Sequence, residues 1–357
     1  MLKLFAPKSK DLIGIDIGST SIKLVVLKET EKGYILDKIG LCALPAEAIV
    51  DGTIMDSSSV VDGIKWLVKN VNLKVKKMKG AASSVAGKSL VMKEITVAKM
   101  SPEELKEHIP WEAESHIPFD PFEVNIDFQV LREDPQDPSQ LKAMIVACKL
   151  DMIDDYVKIF KSAGLNLEVL DTDAFAIQNA FEANYKVNNQ DVIALVNIGA
   201  NVTNINIVKN GESLFAYDIQ MGGNLYNDEL QRKIGLSGEE VEKKKIDGYP
   251  ENPDILDEVI DKVNNTLAAE IGATLDIYNV TVLDEERVNS VCLSGGASIT
   301  KNIITVLTSY LSLPVDIFNP FLQIKYDTKE FNIDYIKDIS PFMAVAVGLA
   351  LRKQGDK

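Results

Sequence analysis

The stretch Asp11 to Lys28, DLIGIDIGSTSIKLVVLK, leaves little freedom in how this chain can fold. Leu12, Ile13, Ile15 and Ile17 are apolar and partly β-branched, the composition of a buried strand. Gly18-Ser19-Thr20-Ser21 supplies a tight turn, and Ile22-Lys23-Leu24-Val25-Val26 returns as a second strand, so the segment reads as a β-hairpin. Asp16 falls among the last apolar positions before the turn, where an isolated carboxylate is costly to bury. A turn of glycine and small hydroxyl residues presents free backbone N–H groups, which form an anion cradle. Asp16 beside such a cradle suits a hydrated Mg2+ carried by a polyphosphate. Lys23 lies seven residues past Asp16, within reach of the phosphates.

The pattern recurs in ALVNIGANVTNINIV, Ala194 to Val208, where Asn197 and Gly199 fall 181 residues after Asp16 and Gly18. That offset is about half the chain and points to two related halves, each with its own hairpin. From the residues alone, two unrelated buried hairpins remain an alternative, because short D-x-G matches are common. The paired hairpins resemble those of the actin-like ATPase superfamily, which face each other across an interdomain cleft. The resemblance implies an α/β fold of two ribonuclease-H-like domains with an interdomain nucleotide cleft. It also implies ATP and Mg2+ as cofactors. Asp16 would stand at the metal, with Gly18, Ser19, Thr20 and Lys23, and Gly199, Ala200 and Asn201, on the phosphates.

The chain's 357 residues suffice for two or three domains, each with its own core. A net charge of −15 argues against a nucleic-acid surface, which needs a basic stripe. Cys42, Cys148 and Cys292 lack metal-ligand spacing, and His108 and His116 stand apart from them, so structural zinc and a disulfide framework are not expected. A reducing cytoplasm is the natural compartment. No signal peptide is visible, and no apolar run approaches the ~18 residues of a membrane span. Met1 to Lys10 mixes apolar residues with lysines and reads as a frayed terminus, with contact at a membrane surface as the alternative.

After the first hairpin, Tyr34 to Leu44 reads as a third strand. Val60, Val61, Ile64, Leu67, Val68 and Val71 then follow at helical spacing. Gly87-Lys88-Ser89 imitates a P-loop, but Ala82 stands where that motif needs glycine, so Gly80 to Ile95 is assigned to β-structure. Ser101-Pro102-Glu103-Glu104 is a capping box, and Pro110 is expected to bend or end the helix that it opens. The region Trp111 to Phe128 that follows is expected to be poor in regular structure. Val124 to Leu131 and Leu141 to Cys148 read as paired strands. Ile153, Tyr156, Val157, Phe160 and Ala163 line one helix face that stops at Gly164.

The segments WEAESHIPF (Trp111 to Phe119) and AGLNLEVLDTDAFAIQNAFE (Ala163 to Glu182) closely resemble the PilM family of type IV pilus inner-membrane platform proteins. The similarity covers essentially the whole chain. It implies a first actin-like subdomain from residues 1–99, 171–190 and 336–357, and an inserted α+β domain over 100–170. A second actin-like subdomain would take 191–221 and 279–335, and a helical subdomain 222–278. The related division protein FtsA ends in a linker and a membrane helix, whereas only Arg352 to Lys357 follow the last helix here. In PilM-like proteins the recruiter is the short cytoplasmic N-terminus of the membrane protein PilN, with a receptor that includes the inserted domain. Trp111, Ile117, Phe119 and Phe122 are the candidate contacts for that peptide, though they also fit the insert's own small core.

In the second half, the resemblance assigns Gly222 and Gly223, and Gly295, Gly296 and Ala297, to the nucleotide. Glu242 and Lys245 would lie beside ribose and base, although EEVEKKK alone also fits a solvated charged helix. Asp173 aligns with the residue that orients attacking water in relatives. Asn197 departs from the superfamily pattern, which has Asp at this catalytic position. An amide accepts a hydrogen bond but brings no negative charge to Mg2+ or water, so binding is expected to outlast turnover. A small-molecule kinase and a filament-forming cytoskeletal protein of the FtsA type are the rival readings. The sequence identifies no catalytic base for the first and no self-association surface for the second.

Overall fold

Every residue of strand β1, Leu12–Ile17, is buried. This follows from its place at the centre of a five-stranded sheet in the computed structural model, which describes residues 11–50, 52–134, 136–186, 188–235, 240–241 and 253–353. Residues 1–10 lie outside this range. The described residues form two compact units. One is built from the chain up to Val85, from Leu150–Tyr185 and from Asn319 onward, and the other from Ala86–Lys149 and Lys186–Phe318.

In the first unit, β2 (Ser21–Thr30) returns antiparallel to β1 and β3 (Gly33–Ala43) continues on its outer side. A short hairpin of β4 (Ile49–Val50) and β5 (Thr53–Ile54) leads to helix α1, Ser57–Asn70. The Asp56 carboxylate caps α1 by accepting the Ser59 N–H at 3.1 Å. The helix buries Val60, Ile64 and Leu67, as the periodicity required. Strand β6 (Gly80–Val85) then lies parallel to β1.

The chain next enters the second unit. Gly87, in the left-handed region at φ 94°, turns it from β6 into β7, Leu90–Ala98. The P-loop imitation is therefore a strand-to-strand turn. Helix α2 (Pro102–Glu114) carries the expected capping box, with Ser101 and Glu104 hydrogen-bonded to each other's backbone. Pro110 does not end α2, which runs on to Glu114. Leu105, Ile109 and Ala113 are buried at helical spacing on either side of Pro110, so packing sustains the helix across the missing N–H. Strands β8 (Val124–Glu133) and β9 (Gln140–Lys149) complete a three-stranded sheet in the order β7-β9-β8. Strand pairing thus draws the α+β piece as Leu90–Lys149, beginning earlier and ending earlier than the expected 100–170.

Helix α3 (Leu150–Ser162) and strand β10 (Leu167–Thr172) belong to the first unit, with β10 parallel to β6. Tyr156, Ile159 and Phe160 are buried on α3, whereas Val157 is exposed. Helix α4, Asp173–Asn184, follows at once.

The second large sheet, β11 (Ile193–Ile198), β12 (Thr203–Lys209) and β13 (Glu212–Ile219), repeats the antiparallel opening of the first. Helices α5 (Asn224–Ile234) and α6 (Pro253–Asn279) intervene before β14 (Ser290–Ser294), helix α7 (Ile303–Leu311) and β15 (Val315–Ile317). The order β13-β12-β11-β14-β15 matches β3-β2-β1-β6-β10 strand for strand, so the 181-residue repeat in sequence is a repeat of topology. No described helix is long and apolar enough to cross a membrane.

The chain ends in the first unit with α8 (Ile333–Ile339) and α9 (Ala344–Leu351). Helix α9 is buried at every residue from Ala344 to Ala350 and packs on α4 and β1. A Cβ at Gly348 would stand 1.7 Å from the Ala176 carbonyl oxygen of α4, so the two small-residue helices cross with no room for a methyl group. Gly348→Ala is therefore expected to lower stability by ~1–3 kcal/mol, the usual cost of overpacking. Denaturant unfolding read by circular dichroism checks this, with the exposed Ser58→Ala change as a control that leaves the midpoint in place.

Candidate functional site

The first hairpin has the expected form. Asp16 on β1 stands directly opposite Lys23 on β2, and the ammonium lies 3.1 Å from the carboxylate. Both side chains are largely shielded from solvent, so each supplies the countercharge that the other's burial demands. The Gly18 N–H donates to the Ser21 carbonyl at 3.0 Å and closes the turn. Ser19 and Thr20 form its tip, outside the pairing of either strand. A Cβ at Gly18 would meet the Lys23 ammonium at 2.8 Å, so the lysine lies across the turn.

Asp173 opens α4 from the carboxyl end of β10, and its carboxylate accepts the Ser84 hydroxyl at 2.6 Å. Asp16 and Asp173 thus stand at the carboxyl ends of two strands that flank β6 in one parallel arrangement. That is where open α/β sheets bind ligands. Nearby, burial pushes the Asp171 carboxyl up from its ordinary range. The Arg352 guanidinium, 3.4 Å away, and the Thr172 N–H pull the other way.

In the second unit, the turn of the repeat hairpin is closed in the same way, with the Gly199 N–H donating to the Val202 carbonyl at 2.9 Å. The cross-strand pair differs. Asn197 faces Asn204, the counterpart of Lys23, and its amide donates to the Asn204 side-chain oxygen at 2.9 Å. The sequence reading flagged Asn197 but missed Asn204. The signal was there, because Asn204 follows Asn197 by the same seven residues that separate Lys23 from Asp16.

The glycines assigned to the nucleotide converge on this turn. The Gly223 N–H donates to the Gly199 carbonyl and the Asn224 N–H to the Ala200 carbonyl, each at 2.8 Å. The Asn224 side chain adds a 2.6 Å bond to Asn201. Gly295, at φ 92°, brings its α-carbon so close to β11 that a Cβ would lie 2.4 Å from the Ile198 carbonyl. Ala297 follows in a 3-10 turn over Gly296–Ile299, with its methyl 3.2 Å from where a Gly223 Cβ would stand. Gly199, Ala200, Asn201, Gly222, Gly223 and Gly295 to Ala297 therefore form one cluster. Glu242 and Lys245 lie outside the described residues.

For a divalent cation, the described residues contain no cluster of three or more His, Cys, Asp or Glu side chains with metal-binding geometry. Asp16, a single buried carboxylate beside a turn, fits the mode in which Mg2+ takes one carboxylate and otherwise keeps phosphate oxygens and water.

The four candidate partner contacts divide. Ile117 is 8% exposed and belongs to the core between α2 and the three-stranded sheet. Phe119 packs against that core, with the Lys149 ammonium 5.1 Å from its ring centre. Trp111, on the face of α2 away from Ile109 and Ala113, is 76% exposed, and Phe122, in a 3-10 turn over Pro121–Glu123, is 92% exposed. The expectation that Trp111 to Phe128 is irregular is corrected, since Trp111 is helical and β8 begins at Val124.

A further cavity of about 990 Å3 lies in the second unit, lined by the edge strands β7 and β13 and the end of α6. Arg132 spans part of its wall, bonded to Glu94 at 3.0 Å and Glu212 at 3.1 Å. Burial pushes the Tyr278 phenol there up to about 12, while its hydroxyl donates to the Glu286 carbonyl. Its walls come from stretches distant in sequence, so no local motif announces it.

Comparison with known proteins places these features in a family. Residues 14–354 match the family described as type IV pilus assembly protein PilM. A solved PilM–PilN type IV pilus biogenesis complex is similar in structure, with a TM-score of 0.85 and 24% identity over 96% of this chain and 98% of that one. The ethanolamine utilization protein EutJ from Carboxydothermus hydrogenoformans follows at TM-score 0.57 and 17% identity, covering 98% of this chain and 92% of its own. A diol dehydratase-reactivating factor in nucleotide-free form gives TM-score 0.56 and 10% identity, over 96% of this chain and 99% of that one. The fold is that of the actin-like ATPases. The chain belongs to the PilM family of type IV pilus assembly proteins.

Proposed function

We propose that this chain is an ATP-binding component of the pilus assembly platform, held at the inner membrane by the N-terminal cytoplasmic peptide of PilN. The observation that carries the nucleotide reading is the duplicated hairpin, with turns closed by matching bonds at Gly18 and Gly199. Asp16, Gly18, Ser19, Thr20 and Lys23, with Gly199, Ala200 and Asn201, would hold the polyphosphate. Gly222, Gly223 and Gly295 to Ala297 would accept the nucleoside, their missing or small side chains letting it approach backbone. Mg2+ would supply charge neutralisation at the phosphates, with Asp16 as its one protein carboxylate.

Nucleotide acts in this reading mainly as a structural or switching ligand. The second hairpin offers neutral Asn197 where the resemblance to actin-like ATPases implies Asp, and that amide is already engaged with Asn204. Negative charge is therefore missing where attacking water would be oriented. Asp173 remains the candidate for that orientation. Trp111 and Phe122 support peptide docking, because they are large, apolar and exposed on the inserted domain, the pattern of binding anchors.

Three outcomes are expected. Mg-ATP raises the melting temperature of the intact protein by mass action, worth about 2.7 kcal/mol at a hundredfold excess over Kd. Gly18→Val, which drives Lys23 off the turn, abolishes that shift, and Asp16→Ala weakens its dependence on Mg2+. Undiminished stabilisation of Gly18→Val by ATP, read by scanning fluorimetry, sinks the assignment. Single-turnover hydrolysis by the unmodified protein runs well below the roughly 10 per second typical of enzymes, and brisk turnover in a quench assay rules out the switching role. Finally, Trp111→Ala/Phe122→Ala in the full chain weakens binding of the PilN N-terminal peptide by about tenfold or more while leaving the ATP-induced shift intact. Unchanged affinity by calorimetry moves the docking site elsewhere.

A further inference from the structure

Four polar side chains form a single row across the second large sheet. Ser294 on β14, Asn197 on β11, Asn204 on β12 and Asp218 on β13 are direct cross-strand partners. The Ser294 hydroxyl donates to the Asn197 side-chain oxygen at 3.1 Å, and the Asn197 amide donates to the Asn204 oxygen at 2.9 Å. The Asn204 amide then donates to one oxygen of Asp218 at 2.8 Å. The other Asp218 oxygen accepts the Gly87 N–H at 2.7 Å. Asn197, Asn204 and Ser294 are buried, so none of these bonds is readily exchanged for water.

The direction of the row follows from chemistry. An asparagine donates from one side of its amide and accepts on the other, so a row of asparagines runs either way. An ionised carboxylate only accepts. With Asp218 at one end, Asn204 must turn its nitrogen toward β13 and its oxygen toward Asn197. Asn197 must then turn its nitrogen toward β12, leaving its oxygen to the Ser294 hydroxyl. The same carboxylate anchors the turn through which the chain enters the three-stranded sheet. Gly87 lies three residues before Leu90, where β7 begins.

We propose that Asp218 is a positioning residue that fixes which face of Asn197 the second hairpin presents and ties that hairpin to the root of the inserted sheet. Any ligand that draws on Asn197 acts through this row on the Gly87 N–H. This role rests on the reading that the second hairpin holds polyphosphate. No side chain of the first hairpin takes part in the row.

The test uses the full chain labelled with 15N. Asp218→Asn is isosteric but no longer acceptor-only. The row must then either reverse, turning Asn197 over, or leave two donors facing each other. The exchanged pair Asn204→Asp/Asp218→Asn restores an acceptor-only group within the row, so Asn197 keeps its original direction and Gly87 keeps an oxygen. The Asn197 side-chain amide resonances, assigned by their loss in Asn197→Asp, should therefore move in the single variant and return toward wild type in the exchanged pair. Gly87 N–H exchange should quicken about tenfold in Asp218→Ala, as expected for losing a bond to a charged acceptor. If Asp218→Asn fails to fold, folding of the exchanged pair is itself the rescue, and failure of both overturns the proposal. Asn197 resonances unmoved in Asp218→Asn, an exchanged pair no closer to wild type, or unchanged Gly87 exchange in Asp218→Ala overturns it equally. All of these are read without nucleotide, whereas the thermal shift with Mg-ATP tests the nucleotide reading, so either can fail while the other stands.

Discussion

The two large sheets are governed by one constraint, that a polar side chain at the end of a fully buried central strand needs its partner on the strand opposite. Strand β1 is buried throughout, yet it carries Asp16 to the edge of the hairpin turn. An unpaired carboxylate there is heavily penalised, and removing one partner of such a pair typically costs about 3–5 kcal/mol. Lys23, fixed opposite by the antiparallel register, supplies the charge. The position of Lys23 across Gly18 follows from that pairing.

The second sheet meets the same constraint by different chemistry. Strand β11 is also buried at every residue, but its polar pair is Asn197 with Asn204, both neutral. Neutral amides need no countercharge, only a consistent order of donors and acceptors. The row extends to Ser294 on one side and Asp218 on the other, where the lone carboxylate is placed on the half-buried edge strand. Burial pushes the Asp218 carboxyl up from its ordinary range, and the bonds from Asn204 and Gly87 hold it down. The two halves thus keep one topology while dividing their chemistry, with fixed charges in the first hairpin and an ordered amide row in the second.

The three-stranded sheet β7-β9-β8 shows a comparable division on α2, the helix packed against it. Leu105, Ile109 and Ala113 bury one face of α2 against β7 and β9, and that packing carries the helix past Pro110. Trp111 is left on the opposite face with nothing from the described chain covering it, as is Phe122 in the following turn. Large apolar groups kept in solvent offer this domain no folding advantage, whereas Ile117 and Phe119, only a few residues away in sequence, build its core.

The sequence alone determined what depends on neighbours a few residues apart. Apolar, partly β-branched runs specified the hairpins, glycines marked their turns, and the capping box opened α2, because each depends on near neighbours. The half-chain repeat similarly carried the topology of the second sheet. The pairing of Lys23 with Asp16, where the lysine was expected on phosphate, came from the register of the folded hairpin. Tertiary structure alone decided what depends on distant chain. Pro110 looked like a helix end until packing on the sheet outweighed its local cost. Trp111 and Ile117 are both large apolar residues in one segment, and only the position of the sheet separates an exposed residue from a core residue. Strand β7 found its partner in β9, some fifty residues on, a pairing that no local pattern announces. The place of Asp218 at the end of the amide row emerged only when β12 and the Gly87 turn were brought against it. A hydrogen bond between residues 131 positions apart leaves no local pattern in either segment.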